Sequence, residues 1–124
     1  MRPADTTTVL RDYLAGWNAS DADTRHGLLA NAVVRDVVYI DPHIPEPLAG
    51  LPELEAHIAT FRLKYDHKLE AALPADVVHG VLRTRWRLKL PEGEEMSRGL
   101  FVADIGSNGR LTRIIHFLDR RAGE

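Results

Sequence analysis

The chain has 124 residues, a net charge of −2 and no cysteine. Its length predicts a single domain over residues 1–124, because domains most often hold roughly 100–150 residues. The small net charge removes the electrostatic basis for binding nucleic acid or an anionic membrane surface. The missing thiols exclude disulfides, thiolate metal sites and cysteine nucleophiles. No apolar run approaches the roughly 20 residues of a membrane helix, and the first residues lack the apolar core of a signal peptide, so we expect a cytoplasmic protein.

Two helices are predicted in the first third of the chain. Residues 5–8 offer several N-cap side chains, and the apolar residues from Val9 to Trp17 recur at helical spacing. Residues 18–21 end that helix, and Ser20 or Asp21 caps a second helix that frays near Asn31.

A β-rich run over residues 33–40 follows and ends on Asp41. Pro42 stops this strand because proline has no N–H to donate, and two further prolines keep the connection to Gly50 extended. The Asp41 carboxylate is therefore predicted on a strand end beside a stiff loop, which suits a catalytic base and also a turn-capping aspartate. A third helix is predicted from about Leu51, with an inner stripe of Leu54, His57, Ile58 and Phe61.

The second half of the chain alternates like an antiparallel sheet. Residues 68–80 contain Pro74, which predicts a bent strand or a bulge. Residues 81–90 alternate clearly, and turn sequences at 91–94 and 106–109 lead into further strands over 96–105 and 110–119. One face of residues 81–90 is apolar, with Leu82, Thr84, Trp86 and Leu88, and the other is basic, with Arg83, Arg85, Arg87 and Lys89.

Helices followed by long strands predict an α+β fold. We expect a cone-shaped, strongly curved antiparallel sheet, with three helices from the N-terminal half packed on its concave face. The mouth of such a cone forms a pocket.

Four motifs carry a family resemblance over nearly the whole chain: residues 13–21, Tyr39-Ile40-Asp41-Pro42, Gly50 before a helix with His57-Ile58, and residues 108–111. They resemble the nuclear-transport-factor-like superfamily, and within it the SnoaL-like group, which includes polyketide cyclases and is similar to ketosteroid isomerase. By this resemblance Tyr13 matches a tyrosine that donates to the substrate oxygen, and Asp41 matches the general base. Phe101 stands where a protonated acid is expected and cannot donate a hydrogen bond.

Chemistry at a carbon beside a carbonyl needs a base near the proton and donors near the oxygen. Asp41 is the candidate base, provided that apolar walls raise its pKa. Tyr13 and His116 are the candidate donors. His116 shares a strand face with Ile114, and the resemblance implies that this face lines the pocket, where the histidine would donate a hydrogen bond or itself transfer protons. Each of the three also has a purely structural interpretation. Asp41 would then be a strand-end aspartate bonded to local backbone amides, Tyr13 a core tyrosine, and His116 a buried neutral histidine with one partner. The other expected ligand-binding residues are Trp17, His57, Ile58, Phe61, Trp86, Phe101 and Ile114.

These residues predict a small-molecule protein of the SnoaL-like type without a cofactor. Its ligand would be a compact, mostly apolar compound with a carbonyl or hydroxyl, and any turnover would be isomerisation, cyclisation or dehydration. The alternative is a non-catalytic ligand-binding or dimerisation module. We expect no metal site, because Asp41, His57 and His116 lack short-range ligand spacing. His26, His43, His67 and His79 are expected to be peripheral, and the outer sheet face is expected to form a homodimer.

Overall fold

The computed structural model describes residues 5–119, which form three helices and a seven-stranded sheet. The helices are α1 (Thr6–Asn18), α2 (Ala22–Ala32) and α3 (Leu51–Lys64). The strands are β1 (Val33–Ile40), β2 (Leu48–Ala49), β3 (Lys68–Ala71), β4 (Asp76–Val78), β5 (Val81–Lys89), β6 (Glu95–Ile105) and β7 (Leu111–Leu118). None of the three helices is both long and apolar enough to cross a bilayer.

Local sequence explains where the helices begin. Asp5 caps α1 by accepting a hydrogen bond from the backbone N–H of Thr8 at 3.2 Å, and Asp21 caps α2 through Thr24 at 2.9 Å. The third helix follows Gly50, whose φ of 93° is a conformation that favours glycine. The predicted helix starts are therefore confirmed at all three positions.

The predicted α+β class with a curved sheet is confirmed, with one correction to the strand directions. The sheet runs in the order β2-β1-β7-β6-β5-β3, with β4 also paired to β5, and β1 lies parallel to β7. All other pairs are antiparallel, so the sheet is mixed. The parallel pair sets Ile40 opposite Ile115. It therefore brings Asp41, the residue after β1, close to His116 on β7.

The region around Pro74 contains two short strands rather than one bent strand. β3 and β4 both pair with β5, and the chain leaves the sheet between them, at a cis Leu73–Pro74 bond. Proline has no N–H to contribute to the ladder, which accounts for the break.

The core lies between the helices and the inner face of the sheet. The inner stripe of α1 is fully or almost fully buried, with Val9, Leu10, Tyr13 and Trp17. The alternation predicted for β5 is confirmed, because Leu82, Thr84 and Trp86 are buried and the arginines between them are exposed.

Gly99 on β6 leaves room for the Trp86 side chain to reach from β5 across β6 to β7. Trp86 on β5 stands opposite Gly99 on β6, and its indole Nε1–H donates to the carbonyl of Phe117 on β7 at 2.9 Å. A Cβ at position 99 would lie 1.7 Å from that carbonyl oxygen and 2.8 Å from the Trp86 ring. Only glycine leaves room for this bond, which links three strands beside His116.

We expect Gly99→Ala to lower the free energy of unfolding by about 3 kcal/mol, because backbone and indole must both move. Urea denaturation measures this. Gly27→Ala on α2 is the matched control: its Cβ meets nothing within 4 Å and the substitution should add up to about 1 kcal/mol. A Gly99→Ala variant within about 0.5 kcal/mol of wild type would contradict the packing described.

Candidate functional site

An open cavity of about 1130 Å³ lies between α3 and the inner face of the sheet. Five residues expected to bind or act on a ligand line it: Trp17, Asp41, His57, Phe61 and His116. Aromatic side chains form much of the inner wall, and charged residues such as Lys64 and Arg98 stand among the lining residues.

Five other expected residues lie outside the cavity lining. Tyr13, Ile58, Trp86, Phe101 and Ile114 are all buried in the core. Tyr13, Trp86 and Phe101 form part of the aromatic surroundings of His116, with the Phe101 and His116 ring centroids 5.0 Å apart. Any contribution of these three aromatic residues to the cavity is therefore through His116.

Asp41 is held by three hydrogen bonds. Oδ2 accepts the hydroxyl of Tyr39 at 2.5 Å, while Oδ1 accepts the backbone N–H and the ring Nδ1–H of His43, each at 2.8 Å. Burial pushes the pKa of Asp41 upward, but these hydrogen bonds outweigh it and hold the pKa below its usual range. The condition under which the sequence made Asp41 a base, a pKa raised by apolar walls, is therefore not met, and the carboxylate is ionised at neutral pH.

His116 is buried and bonded to Tyr13, with 3.1 Å between Nε2 and the tyrosine oxygen. Burial lowers the pKa of His116 to about 4, although the nearby Asp41 acts in the opposite direction. Burial also raises the pKa of Tyr13 strongly, so its hydroxyl keeps its proton. The site thus combines a neutral imidazole with a neutral phenol.

The Tyr13 hydroxyl determines which nitrogen of His116 carries the proton. A fully buried hydroxyl proton without an acceptor costs about 1–3 kcal/mol, and His116 is the acceptor within reach among residues 5–119. We therefore assign Tyr13 as the donor to Nε2, which leaves the hydrogen of the neutral ring on Nδ1. No residue in the described part of the chain bonds to this Nδ1–H, and the ring lines the cavity.

His57 is a further polar residue that lines the cavity. It is half-buried on α3, with its ring edge-on to Trp17 at 5.8 Å between centroids and 5.5 Å from that of Tyr39. Burial lowers its pKa as well. Within residues 5–119 no group of His, Asp and Glu side chains is arranged to hold a metal ion.

Three residues at the site, Tyr39, His43 and His67, were not predicted from the sequence. Tyr39 stands two residues before Asp41, and strand periodicity places both side chains on one face. This spacing could have predicted that Tyr39 lies beside Asp41 at the site. The prediction that His43 and His67 are peripheral is wrong, because both line the cavity. His43 was assigned to the periphery because its contact with Asp41 depends on the turn at Pro42, which strand and helix periodicity do not describe. His26 is mostly exposed and pairs with Glu55 outside the cavity.

Solved structures share this fold over most of the chain. A candidate isomerase of the SnoaL-like family from Agrobacterium tumefaciens is 28% identical, with a TM-score of 0.81 over 93% of this chain and 97% of that one. A candidate SnoaL-like polyketide cyclase from Jannaschia sp. is 17% identical, with a TM-score of 0.70 over 91% and 83%. An NTF2-like protein of unknown function from Exiguobacterium sp. is 15% identical, with a TM-score of 0.72 over 92% and 100%. No family model and no curated protein sequence matches the chain.

The buried neutral His116 predicts a loss of stability in mild acid. Its folded pKa of about 4 lies below the ordinary 6.5, so the unfolded state binds the extra proton first and stability falls as pH drops from about 6.5 toward 4. From about pH 7.5 to about pH 5, wild type should lose about 2 kcal/mol more than His116→Gln. Urea denaturation at both pH values measures this, and equal losses would mean that His116 is not held neutral by burial.

Proposed function

We propose that this chain, which has the nuclear-transport-factor-like fold and SnoaL-like structural neighbours, binds a small molecule in the cavity. It acts on that molecule by acid–base chemistry without a cofactor. One observation carries the proposal. An ionised carboxylate, Asp41, and a neutral imidazole, His116, line the same open, aromatic-walled cavity. The candidate isomerase and the candidate cyclase among the neighbours support chemistry of this class.

The two groups suit the two ends of an enolisation. At one end of the cavity site, the ionised carboxylate of Asp41 supplies the negative charge that draws a proton from the carbon beside the ligand's carbonyl. The Nδ1–H of His116 donates to the carbonyl oxygen as charge gathers there, and a neutral donor in an apolar setting is effective in that task. Tyr13 is a positioning residue, because it fixes the His116 tautomer and does not line the cavity. Isomerisation, aldol-type cyclisation and dehydration all begin with this step.

The ligand that fits is mostly apolar, with one carbonyl or hydroxyl. Trp17, Phe61 and Tyr65 offer aromatic surfaces for its body. His57, which also lines the cavity, supplies a further polar contact.

A binding role without turnover is the second candidate. All three partners of Asp41 stabilise its ionised form, and the Tyr13 hydroxyl is already used inside the protein. Polar groups that satisfy one another's hydrogen bonds in this way also suit a binding protein that holds a hydroxyl-bearing ligand without converting it.

We expect Asp41→Asn to lower the rate of proton exchange at the carbon beside the carbonyl of cyclohexanone by about 100-fold or more, because the charge that attracts the proton is lost. Proton NMR in D₂O measures the exchange. Asp36→Asn is the matched control, an exposed aspartate on the same strand, and should retain the wild-type rate. Unchanged exchange in Asp41→Asn would remove Asp41 from the mechanism. Wild-type binding without exchange would support the receptor role.

The outer sheet face is the proposed contact in a homodimer, as the sequence predicts. Neighbouring positions on β5, β6 and β7 form mixed basic and apolar rows, with Arg85, Leu100 and Phe117 in one and Arg83, Val102 and Ile115 in the next. Half of the Phe117 side chain is exposed. A cytoplasmic location likewise stays a prediction from the sequence.

Phe117→Glu should convert a dimer into a monomer, because the substitution removes an exposed aromatic contact and puts in its place a carboxylate that loses its hydration when the face is covered. Sedimentation equilibrium measures the mass. Leu63→Glu, at a position 89% exposed on α3, is the control and should leave the dimer intact. A dimer that survives Phe117→Glu would place the contact elsewhere.

A further inference from the structure

His43 is fixed at the cavity by two bonds to one oxygen. Its backbone N–H and its ring Nδ1–H both donate to Oδ1 of Asp41 at 2.8 Å, and the N–H of Ile44 donates to the Asp41 carbonyl at 3.2 Å. The turn after Pro42 therefore sets both the backbone and the ring, although 63% of the side chain is exposed. The ring lines the cavity.

The same contact fixes the tautomer of His43. An ionised carboxylate only accepts hydrogen bonds, so Nδ1 carries a hydrogen, and in the neutral ring the lone pair is then on Nε2, across the ring. No residue within 5–119 bonds to Nε2. Protonation of Nε2 would give an imidazolium already paired with a carboxylate, which stabilises that product.

Asp41 itself is poorly suited to take a proton directly. Its two oxygens offer about four lone-pair sites, and three hydrogen bonds occupy them in part. Each of those bonds is weakened if the carboxylate becomes a neutral acid. The Nε2 lone pair of His43 has no hydrogen-bond partner within residues 5–119, so it can accept a proton without breaking an existing bond.

We infer that His43 Nε2 is the group that takes the proton in the proposed reaction, and that Asp41 orients and charges the ring; this rests on the proposed function. The C–H bond beside the carbonyl breaks, its electron pair forms the C=C bond of the enolate, and the proton passes to Nε2. The oxygen takes the negative charge and accepts the Nδ1–H of His116. Return of the proton from His43 to a carbon completes an isomerisation or exchange without any co-reactant.

The chain holds a matched control for this pair. His26 Nδ1 bonds to Oε1 of Glu55, also at 2.8 Å, and 61% of the His26 side chain is exposed. The His26–Glu55 pair does not line the cavity. It therefore reproduces the chemistry of the His43–Asp41 pair at a similar exposure, without access to a ligand.

The experiment measures proton exchange beside the carbonyl of cyclohexanone in D₂O with His43→Ala, His26→Ala and wild type. We expect His43→Ala to lower kcat by about 100-fold or more with KM within about threefold, since proton transfer and not binding is lost. Added imidazole should restore part of that rate in His43→Ala, because the missing base can enter from solvent. His26→Ala should match wild type with and without imidazole.

The outcomes separate failure of this inference from failure of the proposed function. If His43→Ala keeps the wild-type rate while Asp41→Asn loses it, Asp41 is the direct base and the inference is overturned alone. A slow His43→Ala variant that imidazole does not rescue overturns it as well, because His43 then only supports the loop. A wild-type protein that exchanges nothing overturns both proposals together.

Discussion

The buried hydrogen bond between Tyr13 and His116 is the interaction on which the rest of the site depends. It joins α1 to β7 through the core, between two side chains that are 103 positions apart in the chain. Because both groups are buried, burial holds the phenol protonated and the imidazole neutral. With Tyr13 as the donor to Nε2, the hydrogen of the neutral His116 ring is on Nδ1, which has no partner among residues 5–119. The Tyr13–His116 hydrogen bond, which joins α1 to β7, thereby also sets the tautomer of a residue that lines the cavity.

The parallel pairing of β1 with β7 provides the second half of the site. It brings the Asp41 carboxylate at the end of β1 near the His116 imidazole on β7. Asp41 accepts several hydrogen bonds, whereas His116 is more deeply buried. Asp41 is stabilised as an anion by Tyr39 and His43, whereas His116 sits among aromatic rings without enough opposing charge to become protonated. Two titratable groups near each other are thus held in opposite states, one charged and one neutral. Such a division is what a proton transfer coupled to oxygen stabilisation requires.

The sequence was informative wherever local periodicity determines structure. Helical spacing located α1 and its Tyr13, strand alternation placed Trp86 inward, and Pro42 identified the strand end at Asp41. It was uninformative about long-range pairing, so the parallel contact of β1 with β7 was missed. The sign of the Asp41 pKa shift also could not be predicted, because it depends on whether hydrogen bonds from Tyr39 and His43 outweigh burial. That balance exists only once the turn at Pro42 has positioned His43.

The most direct test of the account is the protonation of the His116 ring nitrogens, observed by nitrogen-15 NMR at neutral pH in wild type and in Tyr13→Phe. The account predicts a neutral ring in wild type with its hydrogen on Nδ1. In Tyr13→Phe, which removes the donor to Nε2, a substantial share of the hydrogen should move to Nε2. A wild-type ring that is doubly protonated, or that carries its hydrogen on Nε2, would contradict the account.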